Sequence, residues 1–148
     1  EVVKRYANKD VKAEICDCTD LGKFQDGFFD VVFASNLLEH LEHADVLKTV
    51  SEARRVLKKG GKFVLLQPNF RYSASHYYDD YTHRTAFTHV SLADLLSANS
   101  FHIQKVFPRF LPFDSKTKLP VSKTLVKLYL MLPYKPFAKQ MLIISSKK

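Results

Sequence analysis

The chain has 148 residues and a mass of 17.1 kDa, with 46% hydrophobic residues and a formal net charge of +8. That length fits one ordinary domain, 1–148, with a core of its own. No apolar run reaches the roughly 18 residues of a membrane span and no signal-peptide pattern opens the chain, so a cytoplasmic protein is the expectation.

The charge is unevenly placed. Residues 1–60 carry ten Lys/Arg against eleven Asp/Glu, and residues 61–148 carry thirteen against four. A basic half favours an anionic partner. Its lysines are scattered, however, and no nucleic-acid-binding motif accompanies them, so nucleic acid is not expected. Cys16 and Cys18 lie two apart, poorly placed for a bridge to each other, and reduced thiols are the expectation.

Short apolar runs alternate with helical patterns, the signature of βα units and a largely parallel sheet. "EVVKRYA", residues 1–7, reads as the tail of a helix. Val11 to Cys16 reads as a first strand, and Phe29 to Ser35 as a strand covered on both faces. From Asp45 to Leu57, Val46, Leu47, Val50, Ala53, Val56 and Leu57 fall on one helical stripe, with Gly60-Gly61 as its stop. Lys62 to Gln67 is a third strand. Ser91 is read as the cap of the helix "LADLLSAN", and Phe101 to Phe110 and Gln140 to Ser146 as the last strands. Between those two lies an irregular insertion, about 108–138, punctuated by Pro108, Pro112, Pro120, Pro133 and Pro136 and holding one helix, Lys123 to Leu132. Leu125, Leu128, Tyr129 and Leu132 line one side of it, for packing, for a lid, or for peripheral contact with a membrane surface.

Ligands of open α/β sheets bind beyond the carboxyl ends of the strands, where the chain leaves the apolar core and offers polar groups. Asp17-Cys18, Ser35-Asn36 and Gln67-Pro68-Asn69 each stand at such an end. Together they define one candidate site.

The stretch "FDVVFASNLLEHLEHADVLKTVSEARRVLKKGGKFVLLQPN" closely resembles the middle of class I S-adenosylmethionine-dependent methyltransferases, of the methyltransferase type 11-like kind. "AEICDCTDL" before it resembles the segment that contacts the adenine, and "YYDDYTHRTAFTHVSLADLLSANSFHI" after it is similar to the stretch crossing the substrate face. The resemblance implies a Rossmann-like, three-layer α/β/α fold with a mostly parallel sheet and S-adenosylmethionine as cofactor. It assigns Asp17 and Cys18 to the adenine ring and Ser35 and Asn36 to the wall beside the methionine moiety. The family's first two strands and its Gly-rich loop have no counterpart here. The chain is therefore expected to be a partial domain that binds cofactor weakly, with unpaired sheet edges open to self-association.

Methyl transfer from a sulfonium is a direct displacement, so the protein aligns the partners and, for a hydroxyl acceptor, removes a proton. His40 and His83 are the candidate bases; a backbone-bonded structural role is the alternative for each. The histidine spacings match no standard zinc pattern, and no metal is expected. Asn69, Tyr72, Tyr78 and Arg84 are the candidate substrate contacts, in a stretch whose aromatic and charged residues suit a glycan or another polar ring, including a lipid-linked sugar. A small-molecule acceptor competes with that reading. A non-catalytic binding or assembly module of the same fold is the alternative to an enzyme, and the fingerprint of a nicotinamide-dependent dehydrogenase is missing.

Overall fold

The computed structural model describes residues 11–112 and 122–148. The helix read at residues 1–7 and the middle of the insertion lie outside the described residues.

Four strands form one sheet in the order β1-β2-β4-β3: β1 (Phe29–Ser35), β2 (Leu57–Pro68), β3 (Phe101–Leu111) and β4 (Gln140–Lys147). β1 pairs parallel with β2, while β4 is antiparallel to both β2 and β3. Three strands therefore run one way and β4 runs against them, which puts the carboxyl ends of β1, β2 and β3 and the start of β4 on one edge.

Helix α1 (His43–Val56) joins β1 to β2, and α3 (His89–Ala98) precedes β3. Val46, Val50, Ala53 and Val56 of α1 are buried, the valines each worth roughly 1.5–3 kcal/mol of apolar burial. Leu47, read from the sequence as part of that stripe, is 41% exposed and faces outward. Residues of α1 and α3 share one cluster with Ala34, Phe63, Leu65, Phe101, Met141 and Ile143, so both helices cover the same face of the sheet.

The opposite face of the sheet is less covered by the described residues. Along β2 and β4 the alternate residues Val64, Leu66, Leu142 and Ile144 are only half-buried, and Val31, Phe33 and Phe107 are exposed. Among the described residues, two layers are present and this apolar face is open, as is the outer edge of β1.

Three local expectations are corrected. Residues 11–16 carry no strand assignment; the turn that follows them holds an isolated bridge between Asp17 and Asp20. A strand pattern without a neighbour to take its hydrogen bonds does not become a strand. Helix α1 ends at Val56, before the glycines. Gly60 and Gly61 instead serve a bulge, in which β2 advances from Leu57 to Lys62 while β1 advances only from Phe29 to Val31. Gly60 has φ +75, and a Cβ on Gly61 would stand 2.9 Å from the Lys58 carbonyl oxygen. Finally, Thr88 rather than Ser91 caps α3; Ser91 is the third helical residue and its hydroxyl accepts from the Thr88 amide in return, completing a capping box.

A short helix α2 (Phe70–Ser73) and a 3-10 turn (Ala74–Asp79) follow β2, and α4 (Lys123–Met131) lies in the insertion. No residue of α4 is buried; Leu125, Leu128 and Leu132 are exposed, Val126 and Tyr129 are half-buried, and Tyr129 donates to the Pro136 carbonyl at 2.9 Å. Core packing is thus not the role of this helix among the described residues.

Candidate active site

Side chains gather at the carboxyl edge because the chain turns there three times. Strand β1 ends at Ser35, and Asn36 reverses the chain with φ 48. Its amide donates to the Leu66 carbonyl at 2.9 Å, and its side-chain oxygen accepts from Gln140 Nε2 at 3.1 Å, which ties β1 to the start of β4. Ser35 and Asn36 are both exposed at this edge.

The next residues form a 3-10 turn, Leu38–His40, whose Leu38 anchors in the core and whose Glu39 is 1% exposed. The loop after the Ala74–Asp79 turn folds back onto it. The amides of Arg84 and Thr85 donate to the Glu39 carbonyl at 2.7 and 3.2 Å, and Thr85 Oγ1 donates to the Leu41 carbonyl at 2.7 Å. Those bonds bring His83 to His40, with ring centroids 4.9 Å apart.

Both imidazoles have their tautomer fixed. His83 Nδ1 lies 2.6 Å from the Tyr77 carbonyl oxygen, which can only accept, so Nδ1 carries the proton. Thr82 Oγ1 donates its single proton to Asp80 Oδ1 at 2.6 Å, so its contact with His40 Nδ1 at 2.9 Å is donated by the ring. In its neutral form each ring therefore carries its lone pair on Nε2. Tyr77, buried, packs its ring against His83 at 4.4 Å and donates its hydroxyl to the Thr85 carbonyl at 2.7 Å. Burial and the nearby Glu39 push the Tyr77 phenol well above its ordinary value, so it stays protonated.

Glu39 is the residue that the sequence reading did not single out. Neither of its carboxylate oxygens has a hydrogen-bond partner beyond its own backbone amide. Burial pushes its carboxyl up from the ordinary value, only partly offset by that amide and by His40. A folded-state value above the unfolded one contributes stability below the unfolded pKa that is lost as pH rises through the folded one. In a chelating buffer, Glu39→Gln is expected to stabilise the protein near pH 7 by about 1–3 kcal/mol, because an amide removes the buried charge that an ionised carboxylate must desolvate. The gain shrinks toward pH 4, and denaturant unfolding at both pH values measures it; a gain that grew with acidity would contradict the burial argument.

The candidate cofactor residues are not all brought together. Asp17 Oδ1 accepts from the Thr19 amide and hydroxyl, both at 2.8 Å, and these bonds hold its carboxyl below the ordinary value. Cys18 Sγ lies 3.6 Å from Thr49 Oγ1 on α1, whose own proton goes to the Asp45 carbonyl at 2.8 Å. This segment runs along α1, where Arg55 gathers the carbonyls of Leu21 and Phe24 and the carboxylates of Glu52 and Asp26. No hydrogen bond among the described residues joins Asp17 or Cys18 to Ser35 or Asn36.

The substrate candidates separate in the same way. Asn69 is fully buried, donating to the Pro108 carbonyl at 2.9 Å and to His89 Nδ1 at 3.0 Å while its oxygen caps α2, so its polar atoms serve the fold. Tyr78 is 60% exposed and rests its ring on Tyr77 and Phe70. Arg84 is exposed, with Glu42 at 3.9 Å. Tyr72 lines an open cavity of about 560 Å³ with Arg109, Tyr134, Pro136, Phe137, Ala138 and Lys139. The Arg109 guanidinium lies 4.2 Å over the Tyr72 ring and donates to the Tyr134 hydroxyl at 3.1 Å. The amide of Lys139 donates to the Leu111 carbonyl and its carbonyl accepts from the Asn69 amide, so the cavity opens on the carboxyl edge.

Comparison with known proteins agrees with this architecture. Residues 1–65 match the methyltransferase domain family. An S-adenosylmethionine-dependent methyltransferase of Archaeoglobus fulgidus superposes with TM-score 0.71 at 22% identity, covering 99% of this chain and 72% of that one. A Haloferax volcanii protein solved with a methyltransferase activator gives TM-score 0.70 at 18% identity, covering 97% of this chain and 64% of that one. Geranyl diphosphate C-methyltransferase of Streptomyces coelicolor, solved with Mg2+, geranyl diphosphate and S-adenosylhomocysteine, gives 0.61 at 16%, covering 93% of this chain and 52% of that one. No curated protein matches the sequence. The chain has the Rossmann-like fold of the class I S-adenosylmethionine-dependent methyltransferases, here with a mixed four-stranded sheet.

Proposed function

We propose that this chain serves S-adenosylmethionine-dependent methyl transfer to a hydroxyl-bearing acceptor. The observation that carries the reading is the pair of imidazoles, His40 and His83, gathered with Glu39 directly behind the end of β1, each with its Nδ1 engaged by the surrounding loop. The residues present fit part of the cofactor. Ser35 and Asn36 form an exposed polar strand end, and Asp17 keeps Oδ2 without a hydrogen bond and able to accept from an exocyclic amine. When bound, S-adenosylmethionine supplies a methyl carbon whose bond to sulfur breaks with the electron pair left on sulfur. His40 or His83 accepts the hydroxyl proton at Nε2 as the acceptor oxygen bonds that carbon, and Glu39 stabilises the imidazolium.

The cavity beside Tyr72 suits the acceptor. Its aromatic rings offer faces to a sugar or other polar ring, and Arg109 and Lys139 offer positive charge to an anionic one. Exposed Leu125, Leu128 and Met131 on α4, interleaved with Lys123 and Lys127, suit contact with a lipid surface that presents such an acceptor. No helix among the described residues is long and apolar enough to cross a membrane. Tyr78 and Arg84 border the histidine pair on the same loop.

The test is transfer of labelled methyl from S-adenosylmethionine to cell-envelope glycan fractions and to small lipophilic metabolites, by the protein that carries this chain. Label in glycan, reduced by Tyr72→Ala, supports the reading. Label confined to small metabolites replaces the acceptor class, and no label in any fraction favours a non-catalytic module.

A further inference from the structure

We infer that Glu39, His40 and His83 form a binding site for a divalent transition-metal ion of zinc type. The three residues offer one ligand atom each, and those atoms all lie within 4.8 Å of one another. Donor atoms around a tetrahedral zinc ion stand about 3.3 Å apart, so small side-chain rotations close the set on an ion.

Three observations point to a cation. Glu39 is 1% exposed and neither carboxylate oxygen has a hydrogen-bond partner beyond its own backbone amide, so a buried carboxylate faces the cluster with little to balance it. The two imidazoles contribute acceptors, because each Nδ1 proton is already given away: His83 donates to the Tyr77 carbonyl, and His40 to Thr82, itself bonded to Asp80. These outer bonds are the kind that orient metal-ligating histidines and raise their basicity. A carboxylate and two lone pairs with no donor among them require either protons or a cation between them. Two nitrogens and one oxygen favour zinc, cobalt or iron over magnesium and calcium, which take oxygen ligands. The other histidines do not belong to the set: His76 faces Asp79 at 3.3 Å and His89 accepts from Asn69. Ligand spacing along the sequence argued against a metal; the fold supplies the grouping by bending residues 80–85 back onto Glu39.

Three protein ligands leave a coordination position open for water or an acceptor oxygen; with the cation bound, the imidazole lone pairs are committed to it, and the cation rather than either ring makes the proton on that oxygen easier to remove. That use rests on the methyl-transfer reading, but binding itself does not, so the two fail separately. The test is titration of the 148-residue chain with Zn2+ by calorimetry and with Co2+ by visible absorption. One equivalent is expected, with cobalt ligand-field bands retained in the Cys16→Ser/Cys18→Ser variant, which removes the competing thiols, and in His43→Ala. Affinity is expected to fall at least about tenfold in His83→Ala and in Glu39→Gln, the latter nearly isosteric. Should His83→Ala not fold, the imidazole resonances of His40 and His83 in the unaltered chain must be the histidine signals that shift with Zn2+. Absence of binding at millimolar metal, binding lost with the cysteines, or undiminished binding in Glu39→Gln overturns the site.

Discussion

Replacing His83 with alanine is expected to lower the turnover of methyl transfer to a hydroxyl acceptor about 10²–10⁴-fold, the span that a positioned general base contributes. The effect should fall on kcat more than on KM, because the ring meets the acceptor through one proton rather than through a binding surface. His83 is placed for this by its own backbone surroundings: its Nδ1 proton goes to the Tyr77 carbonyl at 2.6 Å, which leaves Nε2 unprotonated in the neutral ring. His40 stands behind it at 4.9 Å, so the double variant should lose little more than the single one if the pair acts as a unit. His76→Ala, whose ring faces Asp79 at 3.3 Å, should leave turnover unchanged. Equal turnover in the parent and in both His40→Ala and His83→Ala would remove the pair from the chemistry.

Phe63→Ala is expected to destabilise the fold by about 3–5 kcal/mol, the range for deleting a buried aromatic side chain. Phe63 is 1% exposed, sits between Val32 and Ser145 in the middle of the sheet, and packs on Phe101 with ring centroids 5.6 Å apart. Deleting it removes the common support of β1, β2 and β4, the strands that aim Asn36 and Gln140 at each other. Against a typical total stability of roughly 5–15 kcal/mol, such a loss leaves little margin. Urea unfolding gives the value directly. Phe33→Ala, on the open face and 60% exposed, should cost under about 1 kcal/mol; comparable losses at the two positions would mean that the open face is packed.

What the sequence made legible follows from periodicity. The run Phe29 to Ser35 matches β1 residue for residue, and the last two strands end within a residue or so of where their β-branched runs end. Patterns that depend only on a helix or strand burying one face could be read locally. Val11–Cys16 could not, because an alternating segment becomes a strand only when a neighbour takes its hydrogen bonds. The cap of α3 was displaced by three residues because Thr88 and Ser91 both carry a hydroxyl and both take part in the capping box.

The site was legible in its position more than in its membership. Polar strand ends marked the carboxyl edge, and the two histidines picked from "LEH" and "DDYTHR" do meet there. Glu39 escaped notice because an acid in a polar cluster ordinarily faces water; only the return of residues 80–85 buries it. Asn69 was misleading for the opposite reason, since its strand-end position suggested a ligand contact while its side chain is fully used inside the fold. The cavity of Tyr72 and Arg109 joins residues 37 apart in sequence, a pairing that no local pattern announces.

The account's central claim is that the carboxyl edge of this sheet holds S-adenosylmethionine against the histidine pair. Backbone amide NMR of the 148-residue chain during titration with S-adenosylhomocysteine, carried to millimolar ligand so that even a weak site is populated, tests it most directly. The predicted result is a saturable set of shifts at Ser35, Asn36 and Leu37, extending to His40 and His83 and to the turn at Asp17. Saturable shifts confined to α4 or to the opposite ends of the strands, or no shifts at all, would contradict it.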